Sequence, residues 1–267
     1  MTELCAVVLA AGHGMRLRPL TDHLPKALCP VGNVPLLDRA LAHVAAIGLT
    51  GPASVAVNAS YLADQVVAHA GDRVHLSVEP GVPLGTAGGV GNLRDWIAGR
   101  GVLVGNADAY LTGDVTQLLA GWDGETVRLL GVPADRAEFS GHRFAGFSLL
   151  PWRYVRDLPP EPAELVKAVW RPAEAAGHLR VVTHRGTYLD TGTPSHYLAA
   201  NLHATGTGNL LAPDATVTGG CERSVVGAGA EVHGKLTRAV VWPGGYVGPD
   251  EHLVDAIRAG TSLTITP

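Results

Sequence analysis

Residues 9–26 read LAAGHGMRLRPLTDHLPK, which sets small, open backbone at Ala11, Gly12 and Gly14 beside the cations Arg16, Arg18 and Lys26. Backbone N–H groups with no side chain in the way approach phosphate oxygens closely, and guanidinium and ammonium groups neutralise the charge. The stretch follows the apolar run Ala6-Val7-Val8-Leu9, a strand delivering its chain into a phosphate-holding turn. Two familiar phosphate loops do not fit. A dinucleotide fingerprint needs glycine or alanine where Leu17 stands, and a Walker A loop needs Gly-Lys-Ser/Thr where Lys26 sits between Pro25 and Ala27. The chemistry indicated is the handling of a nucleoside triphosphate.

The run resembles the signature of the sugar-1-phosphate nucleotidyltransferases, L-A-G-G-x-G-T-R-L-x-P-L-T followed by P-K-A-L. Here it reads Leu9-Ala10-Ala11-Gly12-His13-Gly14-Met15-Arg16-Leu17-Arg18-Pro19-Leu20-Thr21, then Pro25-Lys26-Ala27-Leu28, with Met15 in place of the usual threonine or serine. The pattern is closest to the mannose-1-phosphate guanylyltransferases. The resemblance implies transfer of a nucleotidyl group from a nucleoside triphosphate to a sugar 1-phosphate, with Mg2+ as cofactor and GTP with mannose 1-phosphate as the first pairing. It implies that Leu9, Ala10, Ala11, Gly12 and Gly14 line the nucleotide. Arg16 then contacts the β- and γ-phosphates, and Lys26 reaches the phosphates near the reacting centre. In such a reaction the attacking phosphate is already ionised at pH 7. The task is electrostatic, met by cations and metal in fixed positions.

Magnesium takes hard oxygen ligands, and two aspartates stand where the resemblance puts them. Asp108 ends Val102-Leu103-Val104-Gly105-Asn106-Ala107-Asp108, and Asp190 lies in Tyr188-Leu189-Asp190-Thr191-Gly192-Thr193-Pro194. Either aspartate read alone is also a good turn or helix-start residue. Glu79 and the run Leu84-Gly85-Thr86-Ala87-Gly88-Gly89 resemble the segment that wraps the base, which assigns Glu79, Gly85, Thr86, Ala87 and Gly88 to the nucleotide. Phe144-Ala145-Gly146-Phe147-Ser148 resembles N-A-G-I-Y, so Asn106, Gly146 and Glu164 are implied for the sugar. One departure stands out. Many relatives carry V-x-E-K-P, whose lysine binds the sugar phosphate, yet residues 131–143 hold no lysine; Lys167, Arg143 and His142 are the available stand-ins. Compact muramic acid 1-phosphate uridylyltransferases look shortened at the same place.

These residues need elements to hold them. Leu36, Leu37, Ala40, Leu41, Val44 and Ile47 recur at helical spacing up to Gly48. Val55–Val57 reads as a strand, 61–69 as a helix, Val74, Leu76 and Val78 as an alternating strand, 89–97 as a helix and Val102–Val104 as a buried strand. This alternation predicts an α/β fold: a Rossmann-like, mostly parallel sheet with helices on both faces, and ligands beyond its carboxyl edge. After residue 206 glycine becomes dense, and residues 224–232 align with 239–247 at an offset of fifteen. That resembles a short left-handed parallel β-helix, too few coils to stand alone, which must pack on the catalytic part or on another subunit. The expected division is 1–205 catalytic and 206–267 coil stub. A homo-oligomer is left open.

At 267 residues the chain is long enough for a full core. A net charge of −4 argues against nucleic acid or an anionic membrane as partner, and no apolar run is long enough to span a bilayer. Three dispersed cysteines imply neither disulfides nor zinc, and the expected location is cytoplasmic. UTP- or dTTP-dependent transfer to another sugar is an alternative. So is a non-catalytic subunit that binds a nucleotide sugar, with a glycosyltransferase and an acyltransferase ranked below.

Overall fold

Cys5 to Leu9, all buried, lie in an interior strand of a seven-stranded sheet. The computed structural model describes residues 3–79 and 81–267. Its contacts divide the chain into two units, one holding residues 3–13, 24–27 and 37–188, the other 14–23, 28–36 and 189–267.

In the first unit the strands are β1 (Leu4–Leu9), β2 (Val55–Ala59), β3 (His75–Val78), β4 (Gly101–Asn106), β5 (Val127–Pro133), β6 (His142–Leu150) and β7 (Leu179–Thr183). They lie side by side in the order β7-β5-β6-β4-β1-β2-β3. Neighbours run parallel except around β6, which is antiparallel to both β4 and β5. The central strands are apolar on both faces, as burial on both sides of a parallel sheet requires. Val7, Val104 and Leu129 pack on Ala87, Val90, Ile97 and Trp170 in one continuous core.

Helix α1 (Leu36–Ala46) closes before Gly48, whose φ of +86° suits glycine. Helix α2 (Ala63–Ala70) begins after Leu62, so Tyr61 and Leu62 precede it rather than belong to it. Helix α3 (Gly85–Asn92) differs most from the expectation of a single helix over 89–97. It starts four residues earlier and breaks at Leu93, ahead of a separate turn at Arg94–Ile97. Its glycines are poor helix formers, but they allow close packing. A Cβ on Gly88 would sit 2.1 Å from the Glu161 carbonyl oxygen, and one on Gly91 2.5 Å from that of Pro159.

In the second unit, short strands stack as parallel rungs on three faces. Leu210 pairs with Val225 and Val225 with Val240, each step fifteen residues, and Val240 pairs with Ile257 after seventeen. Val226, Val232, Leu236, Val241 and Val247 fill the interior. The last strand, Leu263–Ile265, turns back antiparallel on Ile257–Ala259. The stack does not stand alone. Helix α4 (Pro194–Thr205), capped by Thr193 and opened by Pro194, packs beside it. Tyr197 of α4 is wholly buried; its hydroxyl donates to the Pro30 carbonyl and accepts from the Trp242 indole N–H at 3.0 Å. Asn33 Nδ2 donates to the Val226 carbonyl at 2.9 Å, and Gly32 N–H to Asn201 Oδ1 at 2.9 Å. Among the described residues, no helix is long and apolar enough to cross a membrane.

Candidate functional site

The turn after β1 is held from below by a relay of hydrogen bonds. Ala10 N–H donates to Asn58 Oδ1 at 2.7 Å, and Asn58 Nδ2 donates to Glu79 Oε1 at 2.7 Å. Glu79 Oε2 then accepts the Leu84 N–H at 2.9 Å. Glu79 is buried, so its carboxylate ties the turn, the end of β2 and the approach to α3 into one piece. Gly89 leaves room for this relay, since a Cβ there would lie 2.7 Å from Asn58 Nδ2. Asn58 escaped the sequence reading; the signal was an amide in the otherwise apolar strand Val55-Ala56-Val57-Asn58-Ala59. Ala11 packs in the interior, whereas Gly12 faces open space, with nothing within 4 Å of where a Cβ would be.

Beside β1, the turn after β4 is pinned by Ala107 N–H donating to the Leu9 carbonyl at 3.0 Å. Asp108 emerges from it with its carboxylate half-exposed, 3.1 Å from the Nζ of the largely buried Lys26. Lys26 and Asp108, eighty-two residues apart, are thus brought together.

A second cluster forms at the start of α3. Gly85 has a φ of +68°, and a Cβ there would lie 2.6 Å from the Ala163 carbonyl oxygen. Ala87 N–H donates to that same carbonyl at 2.9 Å. Thr86 donates its hydroxyl to Glu164 Oε2 and accepts the Leu165 N–H, both at 2.8 Å. Gly85 and Thr86 therefore sit against Glu164, Ala87 against Ala163 and Gly88 against Glu161, and Lys167 lines the same recess as Gly85 and Glu164. Asn106 and Gly146 line a different, smaller recess with Arg39, His43, Phe147 and Tyr188. Burial pushes the His43 ring below its ordinary value, and its Nε2 lies 3.2 Å from the Leu111 carbonyl oxygen. The ring is neutral at pH 7 and donates there.

The remaining predicted residues lie in the second unit. Gly14, with φ +62°, starts the single turn Met15–Leu17, and its carbonyl accepts the Thr21 hydroxyl at 2.9 Å. Arg16 Nη2 lies 4.0 Å from Asp190 Oδ2, and Asp190 Oδ1 accepts the Gly192 N–H at 2.8 Å. A Cβ on Gly192 would be 2.7 Å from Arg16 Nη2, so glycine admits the guanidinium. Met15 points to solvent. Among the described residues, no three His, Cys, Asp or Glu side chains gather as a metal cluster. The carboxylates of Asp108 and Asp190 are each partly exposed.

The nucleotidyl transferase family model matches residues 5–136. The chain is similar to the N-acetylmuramate alpha-1-phosphate uridylyltransferase of Caulobacter vibrioides, 29% identical over 232 residues, covering 73% of this chain and 94% of that protein. It is also similar to the mannose-1-phosphate guanylyltransferase of Mycobacterium tuberculosis, 35% identical over 122 residues, covering 44% of this chain and 33% of that protein. Among solved structures, HddC from Yersinia pseudotuberculosis superposes with a TM-score of 0.61 at 20% identity, covering 75% of this chain and 98% of that one. That last likeness is one of fold.

Proposed function

Residues 5–136 form a domain of the nucleotidyl transferase family, a family of enzymes, and from that premise we propose that this chain transfers a nucleotidyl group from a nucleoside triphosphate to a sugar 1-phosphate. An oxygen of the sugar phosphate attacks the α-phosphorus. The new P–O bond forms as the bond to the bridging oxygen of the β-phosphate breaks, and pyrophosphate leaves with that electron pair. No protein base is needed, because the attacking oxygen carries no proton at pH 7.

In this reading Leu9, Ala10, Ala11, Gly12 and Gly14 offer backbone to the triphosphate, with Glu79 fixing their turn. Gly85, Thr86, Ala87 and Gly88 hold the base; Asn106, Gly146 and Glu164 hold the sugar. Lys26 meets the phosphates at the reacting centre and Arg16 the departing pyrophosphate. Asp108 and Asp190 suit Mg2+, being hard-oxygen donors with part of each carboxylate open to solvent. When bound, the ion would neutralise phosphate charge. The observation that carries the reading is the Lys26–Asp108 pair at 3.1 Å, a buried cation at the start of the single turn Lys26–Leu28 and an accessible carboxylate on the turn after β4.

UTP is the first donor to try, because the uridylyltransferase likeness runs along 94% of that relative. GTP with mannose 1-phosphate is the second reading, favoured by the Gly85–Gly89 run and by the guanylyltransferase likeness. The proposal extends to a catalytic part within 1–205, a left-handed stack over 206–267 and a cytoplasmic workplace. A grid of nucleoside triphosphates against sugar 1-phosphates with Mg2+, read by mass spectrometry and pyrophosphate release, tests it. Nucleotide-sugar binding with no pyrophosphate from any pair would assign the chain to the non-catalytic class instead.

A further inference from the structure

We propose that Thr86 is a positioning residue for the acceptor: its hydroxyl aims the Glu164 carboxylate at a donor group of the sugar. The inference rests on the transfer reading above. Thr86 donates its hydroxyl hydrogen to Glu164 Oε2 at 2.8 Å, and the hydroxyl oxygen accepts the Leu165 N–H at 2.8 Å. A hydroxyl has one hydrogen to give. With that hydrogen spent on Glu164, the base is served by the backbone of Thr86 and the side chain serves Glu164. Glu164 is solvent-exposed, and among the described residues its Oε1 has no hydrogen-bond or ion-pair partner. A Cβ on Gly85 would lie 2.8 Å from that oxygen, so glycine is what lets the carboxylate sit there. The recess that Glu164 lines with Gly85, Pro162 and Lys167 measures about 480 Å³, within the range of about 300–1,000 Å³ usual for small-molecule sites. An ionised carboxylate only accepts, so what it receives is a hydroxyl or an amide N–H of the sugar.

The backbone that carries Glu164 is registered by α3. Ala163 N–H donates to the Leu84 carbonyl at 3.0 Å, and the Ala163 carbonyl accepts the Ala87 N–H at 2.9 Å. Gly85, Gly88 and Gly91 recur every three residues along one side of α3. Cβ atoms there would lie 2.6, 2.1 and 2.5 Å from the carbonyl oxygens of Ala163, Glu161 and Pro159. Residues 159–164 are thus laid along the glycine face, backbone against backbone. The Glu164 side chain is the part still able to swing, and Thr86 removes that freedom. Ordering such a side chain only when the ligand arrives would weaken affinity about 3- to 10-fold. The segment that holds the base and the side chain that meets the sugar thereby share one support.

The test uses full-length wild type, Thr86→Val, Thr86→Ser, Glu164→Ala, and Thr86→Val combined with Glu164→Ala, each checked by thermal melting. Thr86→Ala takes the place of Thr86→Val if the valine variant does not fold. Mannose 1-phosphate, N-acetylglucosamine 1-phosphate and N-acetylmuramic acid 1-phosphate serve as acceptors. Thr86→Val is expected to raise the acceptor KM about 3- to 10-fold, with the triphosphate KM unchanged and Thr86→Ser within twofold of wild type. Glu164→Ala is expected to raise the acceptor KM at least as much. With Glu164 gone nothing remains to be aimed, so adding Thr86→Val should bring no further loss. An acceptor KM within twofold of wild type in Thr86→Val or in Glu164→Ala overturns the proposal. So does a loss that falls on the triphosphate KM, or one that Thr86→Val still causes in the Glu164→Ala background. If wild type turns over no pair, the transfer reading itself fails. Calorimetric titration with the same sugar 1-phosphates then judges Thr86 alone. Affinity weakened about threefold or more in Thr86→Val, and no weaker in the double variant than in Glu164→Ala, upholds it; equal affinity, or no binding to wild type, overturns it.

Discussion

Replacing Glu79 by alanine should loosen the nucleotide turn from beneath. The carboxylate accepts Asn58 Nδ2 at 2.7 Å and the Leu84 N–H at 2.9 Å. The Asn58 bond lies in the interior, where Glu79 and Asn58 are almost fully buried, and the Leu84 bond is partly buried. Truncation leaves two donors unpaired, and each such group costs about 1–3 kcal/mol. The expected loss is therefore about 2–6 kcal/mol, less whatever water recovers by entering the gap. For a chain of this size each kcal/mol moves the melting midpoint about 2–4 °C, so the midpoint should fall by about 4–24 °C. Glu79→Gln keeps one acceptor oxygen but turns an amide N–H2 toward a donor, and should lose about half as much. Calorimetry supplies the midpoint, and amide hydrogen exchange supplies the location. Asn58 freed from Glu79 no longer holds Ala10, so the Ala10 and Leu84 amides should exchange faster than those of β6. A midpoint within 1 °C of wild type, with Ala10 equally protected, would refute the relay.

Asp108→Asn should leave the circular dichroism spectrum intact and abolish product formation, a loss of at least about 10²–10³-fold in turnover; unaltered turnover would sink the metal assignment. Tyr197→Phe strips a partner from both the Pro30 carbonyl and the Trp242 indole, and should cost about 2–6 kcal/mol in urea unfolding, with the Trp242 emission shifted; a loss below about 0.5 kcal/mol contradicts the clamp. Burial pushes the Cys5 thiol up to about 12. Iodoacetamide at pH 8 should thus leave Cys5 unmodified in the folded protein while modifying it in urea, as mass spectrometry of the peptides will show. The folded-state value lies above the unfolded value of 9.0. The Cys5 contribution to stability is therefore complete below pH 9 and disappears as the pH rises toward 12, a decline that Cys5→Ala should lack.

Much of the sheet was legible because its strands are short apolar runs bounded by turns. Ala6 to Leu9, Val55 to Val57 and Val102 to Val104 all lie inside observed strands. α1 was legible for a related reason, its apolar positions recurring every three or four residues up to a glycine. The antiparallel β6 was not, because direction depends on which neighbour a strand finds and not on its own residues. The start of α3 was misjudged because Gly85 and Gly88 were not read as helical; their reason is the approach of the Ala163 and Glu161 carbonyls, which no local pattern announces. The fifteen-residue repeat was plain between Val225 and Val240 and hidden at Leu210 and Ile257, where the rung changes residue type or spacing. At the site, glycines and cations stood out through their motif. Asn58 did not, since it works through partners distant in sequence.

The backward final strand has a further consequence. A pile of identical parallel rungs ends in a row of unsatisfied main-chain donors and acceptors, onto which the first rung of another molecule can dock, and then the next, without limit. On one of the three faces Leu263–Ile265 presents the opposite polarity, so a rung arriving in parallel would find its partners out of step there. Arg258 rivets this lid in place, its buried guanidinium donating to Thr264 Oγ1 at 2.8 Å and to the Tyr246 carbonyl at 2.7 Å. On that face alone the parallel ladder stops at Ile257–Ala259.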